Sequence, residues 1–181
     1  MQLIILDRDG VINEDRPDSV RSLDHLKLLP GAGAAVAQLN HAGYAVAIAT
    51  NQAVVGRGHI DLAMLDMIHA KMLAGLSDYG GRIDRIYVAT ETPEHATSRR
   101  KPGPGMLLEA LRDFSAVAED TFMIGDDLTD LSAADAAACR PLLVRTGKGH
   151  LRQAECQKAF PKLPIYDNLA AAVISILAGK V

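Results

Sequence analysis

Short runs of apolar residues alternate along this chain with longer segments in which apolar residues recur every three to four positions. The short runs are almost continuously apolar, a pattern typical of strands that are buried on both faces. They predict six strands, at Leu3–Leu6, Ala45–Ala49, Arg85–Ala89, Thr121–Ile124, Pro141–Val144 and a less apolar one at Pro164–Tyr166.

The longer segments predict amphipathic helices between these strands. One covers Gly33–Ala42 and ends before Gly43, a residue suited to the left-handed conformation that closes many helices. A second runs from Asp61 to Tyr79, and a third begins near Pro104, since proline fits the first turn of a helix. The expected inward-facing residues are Leu65, Ile68, Met72 and Leu76 in the second helix and Leu107, Leu108 and Leu111 in the third. Three further helices are expected over Ala133–Cys139, Leu151–Ala159 and Asn168–Ala178.

Alternation of strands and helices predicts a parallel sheet with helices on both sides. We therefore expect a three-layer, doubly wound α/β fold in which residues 1–181 form a single domain. Residues 11–30 are too few for a separate cap domain, and residues 52–100 are accounted for by one helix, one strand and one loop. Any ligand site is thus expected to lack a cap domain, with its entrance formed by the loops at 12–30 and 90–100.

Composition and charge narrow the classes of function. Apolar residues make up 49% of the 181 residues and charged residues 23%, with a formal net charge of −3, which is ordinary for a globular protein. This charge offers no broad basic surface for a phosphate backbone, so nucleic acid is not expected as a partner. No apolar run reaches the ~18 residues of a membrane span, and residues 1–6 lack the features of a secretory signal.

Cys139 and Cys156 are the only cysteines, and neither forms a metal-ligand spacing with the six histidines. A zinc site is therefore not expected. Unpaired thiols are typical of a reducing compartment, so we expect a cytoplasmic protein. The sequence is compatible with a monomer and leaves the oligomeric state open.

Residues with recognisable chemistry follow three of the predicted strands. Asp7 and Asp9 follow the first, Thr50 follows the second and Asp126 follows the fourth, while Lys101 lies in a loop rich in proline and glycine. In a doubly wound sheet, ligands bind beyond the carboxyl ends of the strands. We therefore expect these five side chains to converge there, where clustered carboxylates suit Mg²⁺.

The same residues fit phosphoryl transfer. Asp7 would attack phosphorus to form an aspartyl phosphate, and Asp9 would protonate the leaving alcohol and later activate water. Lys101 and the Thr50 hydroxyl would hold the phosphoryl oxygens. A phospho-accepting regulatory domain without turnover is the alternative, because receiver domains collect similar residues at the end of a parallel sheet. Asp9 favours hydrolysis, since such a domain needs no proton shuttle.

The chain resembles the haloacid dehalogenase (HAD) superfamily through four segments that stand in the order typical of it. They are Asp7–Val11, Thr50–Gln52, Lys101–Pro102 and Gly125–Asp130, within about residues 3–147. The resemblance implies a phosphatase in which Mg²⁺ is bound by the Asp7 side chain, the Asp9 backbone carbonyl and the Asp126 side chain. It also implies that Thr50 and Lys101 stabilise the phosphoryl group.

Within this superfamily, LDRDGVIN, ATNQAVVGRG, RRKPGPGMLLEAL, FMIGDDLTDLSAA and LVRTGKG are similar to the branch of heptose bisphosphate and histidinol-phosphate phosphatases. This implies a small phosphorylated sugar or polyol as substrate, with D-glycero-D-manno-heptose 1,7-bisphosphate as the first hypothesis. Histidinol phosphate, another small sugar phosphate and a nucleic-acid 3′-phosphate are the alternatives. The implied substrate-binding residues are Asp15, Arg16, Pro17, Asp18, Thr50, Asn51, Gln52, Ala53, Arg100 and Lys101.

Two features depart from that branch. Its zinc loop of Cys-x-His and Cys-x-Cys type is replaced by ATETPEHATSRRKP, which contains His95 and no cysteine. We therefore expect a shorter loop without zinc. In addition, Asp127 stands where the heptose enzymes tend to have a lysine that helps to bind substrate.

Several residues leave two interpretations open. Arg57, which lies between two glycines, reaches either the substrate or only solvent. Asp130 either helps to position the metal or Lys101, or caps the next helix. The histidines without a partner spacing are expected on the surface; these are His25, His41, His59, His69 and His150.

Overall fold

One six-stranded sheet forms the centre of the protein, whose computed structural model describes residues 1–181. All paired strands are parallel, in the order β3-β2-β1-β4-β5-β6. This is the doubly wound sheet that the alternation of strands and helices predicts. Its strands are β1 (Leu3–Leu6), β2 (Ala45–Asn51), β3 (Arg85–Ala89), β4 (Phe122–Gly125), β5 (Arg140–Val144) and β6 (Ile165–Tyr166).

The chain forms seven helices, and six of them cover the two faces of the sheet. They are α1 (Ala32–His41), α2 (Ala53–Gly56), α3 (Leu62–Ser77), α4 (Gly105–Asp113), α5 (Leu128–Ala136), α6 (Gly149–Ala159) and α7 (Leu169–Leu177). Helices α1, α3 and α7 bury apolar side chains against one face, whereas α4, α5 and α6 do so against the other. The predicted three-layer arrangement is confirmed. The longest helix has 16 residues, and none has both the length and the apolar character to cross a membrane.

The central strands are apolar on both faces because each face meets a layer of helices. In β1, Ile4 and Leu6 belong to the apolar cluster with α1, α3 and α7. Leu3 and Ile5 point to the opposite side and join the cluster with α4 and α5. All four side chains are fully buried, which explains the continuous apolar run in the sequence.

Three local features differ from the sequence prediction. Strand β2 extends to Asn51, because Thr50 and Asn51 continue the parallel pairing with β3. Helix α5 begins at Leu128 and not at Ala133, because Asp127 and Asp130 form a capping box that starts the helix earlier. Helix α2 was not predicted, since its four residues are too short to show a helical period.

Two predictions of side-chain burial were wrong. Leu108 of α4 is 48% exposed, and Met106 takes the inward position beside Leu107. Pro104 precedes α4 as its N-cap residue, so the inward-facing stripe begins at Met106. His69 of α3 is buried, not on the surface, because the guanidinium group of Arg8 lies against its ring at 3.3 Å.

Candidate active site

Three neighbouring strands bring the predicted site residues to one edge of the sheet. Strand β1 lies between β2 and β4, so the residues at the carboxyl ends of these strands are neighbours. Asp7 directly follows β1, and its backbone N–H donates to the carbonyl of Ile124 in β4 at 2.9 Å. Asp126 directly follows β4, and Thr50 lies near the end of β2. The sheet order therefore produces the convergence expected from the sequence.

Lys101 is the cation at the centre of this edge. Its Nζ lies 2.9 Å from Asp7 Oδ1 and donates to Asp130 Oδ1 at 2.6 Å. The side chain is buried, which opposes its charge, but the carboxylates of Asp130 and Asp7 raise the pKa of Lys101 above its ordinary value. Lys101 therefore stays protonated and can place a positive charge beside Asp7.

Asn51 fixes the backbone that carries Lys101. Its amide Nδ2 donates to the Lys101 carbonyl at 2.9 Å, and its Oδ1 accepts the backbone N–H of Lys101 at 3.0 Å. These two bonds join the end of β2 to the loop before α4. The Asn51 side chain thus supports the site by holding Lys101 in position.

Asp130 fulfils both of the roles that the sequence left open. One oxygen accepts from Lys101, and the other accepts the backbone N–H groups of Asp126 and Asp127 at 3.1 Å each. The first contact positions Lys101, and the second closes the capping box of α5. Gly125 makes this possible, because a Cβ atom there would overlap the Asp130 carboxylate.

Two glycines pack directly against the Asp126 carboxylate. A Cβ atom at Gly10 or at Gly147 would overlap Asp126 Oδ2, and both glycines have positive φ. The same oxygen accepts the backbone N–H of Lys148 at 2.8 Å. Burial, followed by the negative charges of Asp130 and Asp7, raises the pKa of Asp126. The backbone therefore confines a carboxylate whose negative charge is only partly offset, by the N–H group and the ammonium group of Lys148.

The carboxylates fit a hard divalent cation. Asp7, Asp126 and Asp130 each offer an oxygen, and these oxygens lie within 4.8 Å of one another. Both oxygens of Asp130 are already used by Lys101 and by backbone N–H groups, whereas Asp7 Oδ2 and Asp126 Oδ1 receive no hydrogen bond from the protein. Burial also raises the pKa of Asp7, with Lys101 acting against it. Two underused anionic oxygens in a buried place are what Mg²⁺ binds through a few protein ligands.

Asp9 is held by three other side chains. Arg8 contacts its carboxylate at 2.9 Å, Asn13 donates to Oδ1 at 2.8 Å, and Gln52 donates to Oδ2 at 2.8 Å. Burial opposes ionisation, but the charge of Arg8 and these hydrogen bonds keep the pKa of Asp9 below its ordinary value. Gln52 also donates to Thr50 Oγ1 at 2.8 Å, so the Thr50 O–H remains free to donate elsewhere.

Arg8 is fully buried behind Asp9 and was not identified from the sequence. Its Nη2 also donates to Gln52 Oε1 at 3.1 Å, and its Nη1 donates to His69. Because arginine has no acceptor, His69 Nε2 must accept this bond, and the ring is neutral. Burial, and then the charge of Arg8, lower the pKa of His69 to about 4. The Arg8 guanidinium group thus orients the Asp9 carboxylate and is itself held by Gln52, which directly follows β2, and by His69 of α3.

A cavity of about 320 Å³ opens above these carboxylates, at the lower end of the size range of small-molecule sites. Its lining includes Asp7, Asp9, Asp126 and, among the predicted substrate-binding residues, Asp15, Arg16, Pro17, Thr50, Asn51, Gln52, Ala53, Arg100 and Lys101. Asp18 is exposed outside this lining and pairs with Arg16 at 3.1 Å, whereas Ser19 lines the cavity.

Lys148 and Thr129 line the cavity but were not predicted as site residues. The Nζ of Lys148 lies 3.8 Å from Asp15 and 3.9 Å from Asp127. Burial opposes its charge, but these carboxylates and Asp126 raise the pKa of Lys148. A lysine between two glycines after β5 was the signal that could have identified it, since this segment also lies at the carboxyl edge of the sheet.

Comparisons with known proteins extend this description. The HAD-hydrolase-like family model matches residues 98–172. The chain is 46% identical over 170 residues to the D-glycero-beta-D-manno-heptose-1,7-bisphosphate 7-phosphatase of Neisseria meningitidis, covering 93% of this chain and 91% of that protein. It is 40% identical over 172 residues to the enzyme of that name from Pseudomonas putida, covering 94% and 97%. The crystal structure of D,D-heptose 1,7-bisphosphate phosphatase from B. bronchiseptica, complexed with magnesium and phosphate, superimposes with a TM-score of 0.94 and 39% identity over 99% of both chains.

Proposed function

Because this chain belongs to the HAD-like phosphatases, and within them to the family of the heptose bisphosphate phosphatases, we propose that it removes the 7-phosphate of D-glycero-β-D-manno-heptose 1,7-bisphosphate. The main support for this function is the contact between Lys101 Nζ and Asp7 Oδ1 at 2.9 Å, with Asp126 beside them. This contact supports a site in which Asp7 is the nucleophile, Lys101 is the cation that faces the phosphoryl group, and a metal ion binds beside them. We propose that residues 1–181 form one domain.

The first step forms a bond between Asp7 and phosphorus. A carboxylate oxygen of Asp7 attacks the phosphoryl group, and the bond from phosphorus to the sugar oxygen breaks. Lys101 favours the ionised form of Asp7 and faces the developing charge on the phosphoryl oxygens. The free O–H of Thr50 donates to one of these oxygens. The leaving sugar oxygen takes a proton from Asp9.

The second step releases inorganic phosphate. Asp9, now ionised, accepts a proton from water while the water oxygen attacks the aspartyl phosphate. The bond from phosphorus to Asp7 breaks, and Asp9 is left protonated for the next turnover. The contact with Arg8 at 2.9 Å suits the ionised state of Asp9. It must loosen when Asp9 carries the proton.

Mg²⁺ is the metal that these residues would hold. The Asp7 and Asp126 side chains and the Asp9 backbone carbonyl are its proposed ligands, and Asp130 keeps Lys101 in place beside them. When bound, Mg²⁺ neutralises the phosphoryl oxygens and the clustered carboxylates. The magnesium and phosphate in the B. bronchiseptica structure support this choice. Zinc is not part of the proposal.

Substrate recognition is assigned to the side chains that line the cavity around the reacting group. Asp15, Arg16 and Pro17 border one side, Asn51, Gln52 and Ala53 another, and Arg100 a third. Asp18 would act through its ion pair with Arg16. The unpaired thiols of Cys139 and Cys156 favour a cytoplasmic protein. We also propose that the protein acts as a monomer.

Phosphate release from a panel of substrates tests the proposed function. With Mg²⁺ present, the heptose 1,7-bisphosphate should give the highest kcat/KM, ahead of histidinol phosphate, other sugar phosphates and a 3′-phosphorylated oligonucleotide. Asp7→Asn should abolish turnover while leaving the protein folded, because Lys101 keeps Asp130 as a partner, and Asp135→Asn, at an exposed carboxylate on α5, is the matched control. Preference for another substrate would overturn the proposed specificity. An active Asp7→Asn enzyme would overturn the nucleophile.

A further inference from the structure

Three arginines line the cavity, and two of them have no carboxylate partner. Arg16 pairs with Asp18. The Arg57 side chain makes neither a hydrogen bond nor an ion pair, and Arg100 donates only to the carbonyl oxygen of Glu91, at 3.1 Å. Most other arginines of the chain contact a carboxylate; these are Arg8, Arg82, Arg85, Arg99, Arg112, Arg145 and Arg152.

Arg57 and Arg100 both line the cavity and come from two segments that pack against each other. The backbone N–H of Gly56 donates to the Thr90 carbonyl at 3.1 Å, and a Cβ atom at Gly56 would overlap that oxygen. The end of α2 therefore packs closely on the loop that follows β3. The same loop holds Arg100 through Glu91, so the backbone brings the two guanidinium groups near each other.

The positive charge of this pair is only partly offset by the protein, because the Glu91 and Glu94 carboxylates act on it without forming an ion pair with either guanidinium group. Burial, and then the neighbouring charge of Arg57, lower the pKa of Arg100. The Glu91 carboxylate is occupied by the Thr97 hydroxyl at 2.6 Å, and Glu94 is fully exposed to solvent. Two adjacent guanidinium groups in a cavity are stabilised by an anion that bridges them, and phosphate suits their planar donors.

The cations at the reacting group are separate from this pair. Lys101 contacts Asp7 and Asp130, so it already serves the phosphate that is hydrolysed. A substrate with one phosphate would leave Arg57 and Arg100 without an anion. A bisphosphate supplies one phosphate to each of the two cationic groups.

We propose that Arg57 is a specificity-determining residue which, together with Arg100, binds the phosphate that is not hydrolysed and so selects bisphosphates over monophosphates. This inference rests on the proposed function, in which that group is the 1-phosphate. Arg57 reaches the cavity from a turn between Gly56 and Gly58 that makes no other use of its side chain.

Kinetics with matched substrates test this inference. The variants are Arg57→Ala and Arg57→Lys, with Arg112→Ala as a control because Arg112 is exposed outside the cavity and pairs with Asp113. The substrates are the heptose 1,7-bisphosphate with its 7-monophosphate, and fructose 1,6-bisphosphate with fructose 6-phosphate. Arg57→Ala should lower kcat/KM for the bisphosphates about tenfold more than for the monophosphates, mainly through KM. Arg57→Lys should recover part of the loss, and Arg112→Ala should change neither ratio.

The possible outcomes separate the two proposals. An equal loss on bisphosphates and monophosphates, or no loss, overturns the role of Arg57. A wild-type enzyme without preference for bisphosphates overturns it as well. A wild-type enzyme that prefers fructose 1,6-bisphosphate to the heptose compound overturns the proposed substrate, while a ratio that still depends on Arg57 upholds the inference. Thermal melting of Arg57→Ala should match that of the wild type, because this exposed side chain makes neither a hydrogen bond nor an ion pair.

Discussion

Replacing Asp130 by asparagine tests the link between the structural support of the site and its activity. The Asp130 carboxylate accepts three hydrogen bonds, from Lys101 Nζ at 2.6 Å and from the backbone N–H groups of Asp126 and Asp127 at 3.1 Å. An amide has a single acceptor oxygen. In Asp130→Asn, the amide NH₂ therefore faces either Lys101 or the two N–H groups, and Lys101 loses its negatively charged partner.

The magnitude follows from the burial of the pair. Lys101 and Asp130 are 2% and 1% exposed, and removing one partner of a buried ion pair costs about 3–5 kcal/mol. Asp7 remains as a partner at 2.9 Å, so we expect a loss of roughly 2–4 kcal/mol in the free energy of unfolding. For a domain of this size this corresponds to a decrease of roughly 4–16 °C in Tm.

The assay combines thermal melting with phosphate release. In Asp130→Asn, kcat should fall at least about tenfold, because Lys101 no longer holds its position beside Asp7. Asp61→Asn is the control, since Asp61 caps α3 at an exposed position by accepting the Met64 N–H at 2.8 Å. Asparagine caps helices about as well as aspartate, so the control should melt within roughly 2 °C of the wild type. An Asp130→Asn enzyme that melts and turns over like the control would refute the reasoning.

Three other perturbations have defined outcomes. Since the folded protein keeps His69 neutral, with a pKa lowered to about 4 from 6.5, only the unfolded chain gains this proton between these pH values. The free energy of unfolding therefore falls as pH decreases below 6.5, by up to about 3 kcal/mol. Between pH 7.5 and pH 5, the Tm of His69→Gln should decrease less than the Tm of the wild type. Equal decreases would contradict the neutral state of His69. Gly147→Ala should lower activity, because a Cβ atom there would overlap Asp126. Gly80 also has a positive φ but no close neighbour, so Gly80→Ala should lower only Tm; equal activities of the two variants would contradict this prediction. Chelation by EDTA should stop phosphate release, and Mg²⁺ should restore it and raise Tm; hydrolysis that persists in EDTA would exclude the metal site.

The sequence predicted those features that depend on local pattern. The apolar runs identified all six strands, and the residues at the ends of β1, β2 and β4 predicted the candidate site, because a parallel sheet collects its strand ends at one edge. Asp7, Thr50, Lys101 and Asp126 are brought together there. The parallel sheet alone accounts for bringing these strand-end residues to the same edge.

Contacts between distant segments could not be predicted in the same way. Arg8 lies between two aspartates in the sequence and gave no sign of burial, because its partners Gln52 and His69 come from β2's end and from α3. His69 was assigned to the surface for the same reason. The early start of α5 depends on the combination of Asp127 and Asp130 with backbone N–H groups, which the apolar period of the helix does not record.

The central position of β1 in the sheet has a consequence for folding during synthesis. This strand is synthesised before both of its neighbours, which are β2 and, much later in the chain, β4. Until β4 is synthesised, one edge of a wholly apolar strand is unpaired and open to wrong partners. Asp126 follows β4 directly, so the pairing of β4 with β1 also brings a carboxylate to the proposed metal site. A nascent or truncated chain that lacks β4 is therefore both prone to aggregation and inactive. Pairing of β4 with β1 removes the exposed edge and completes the site.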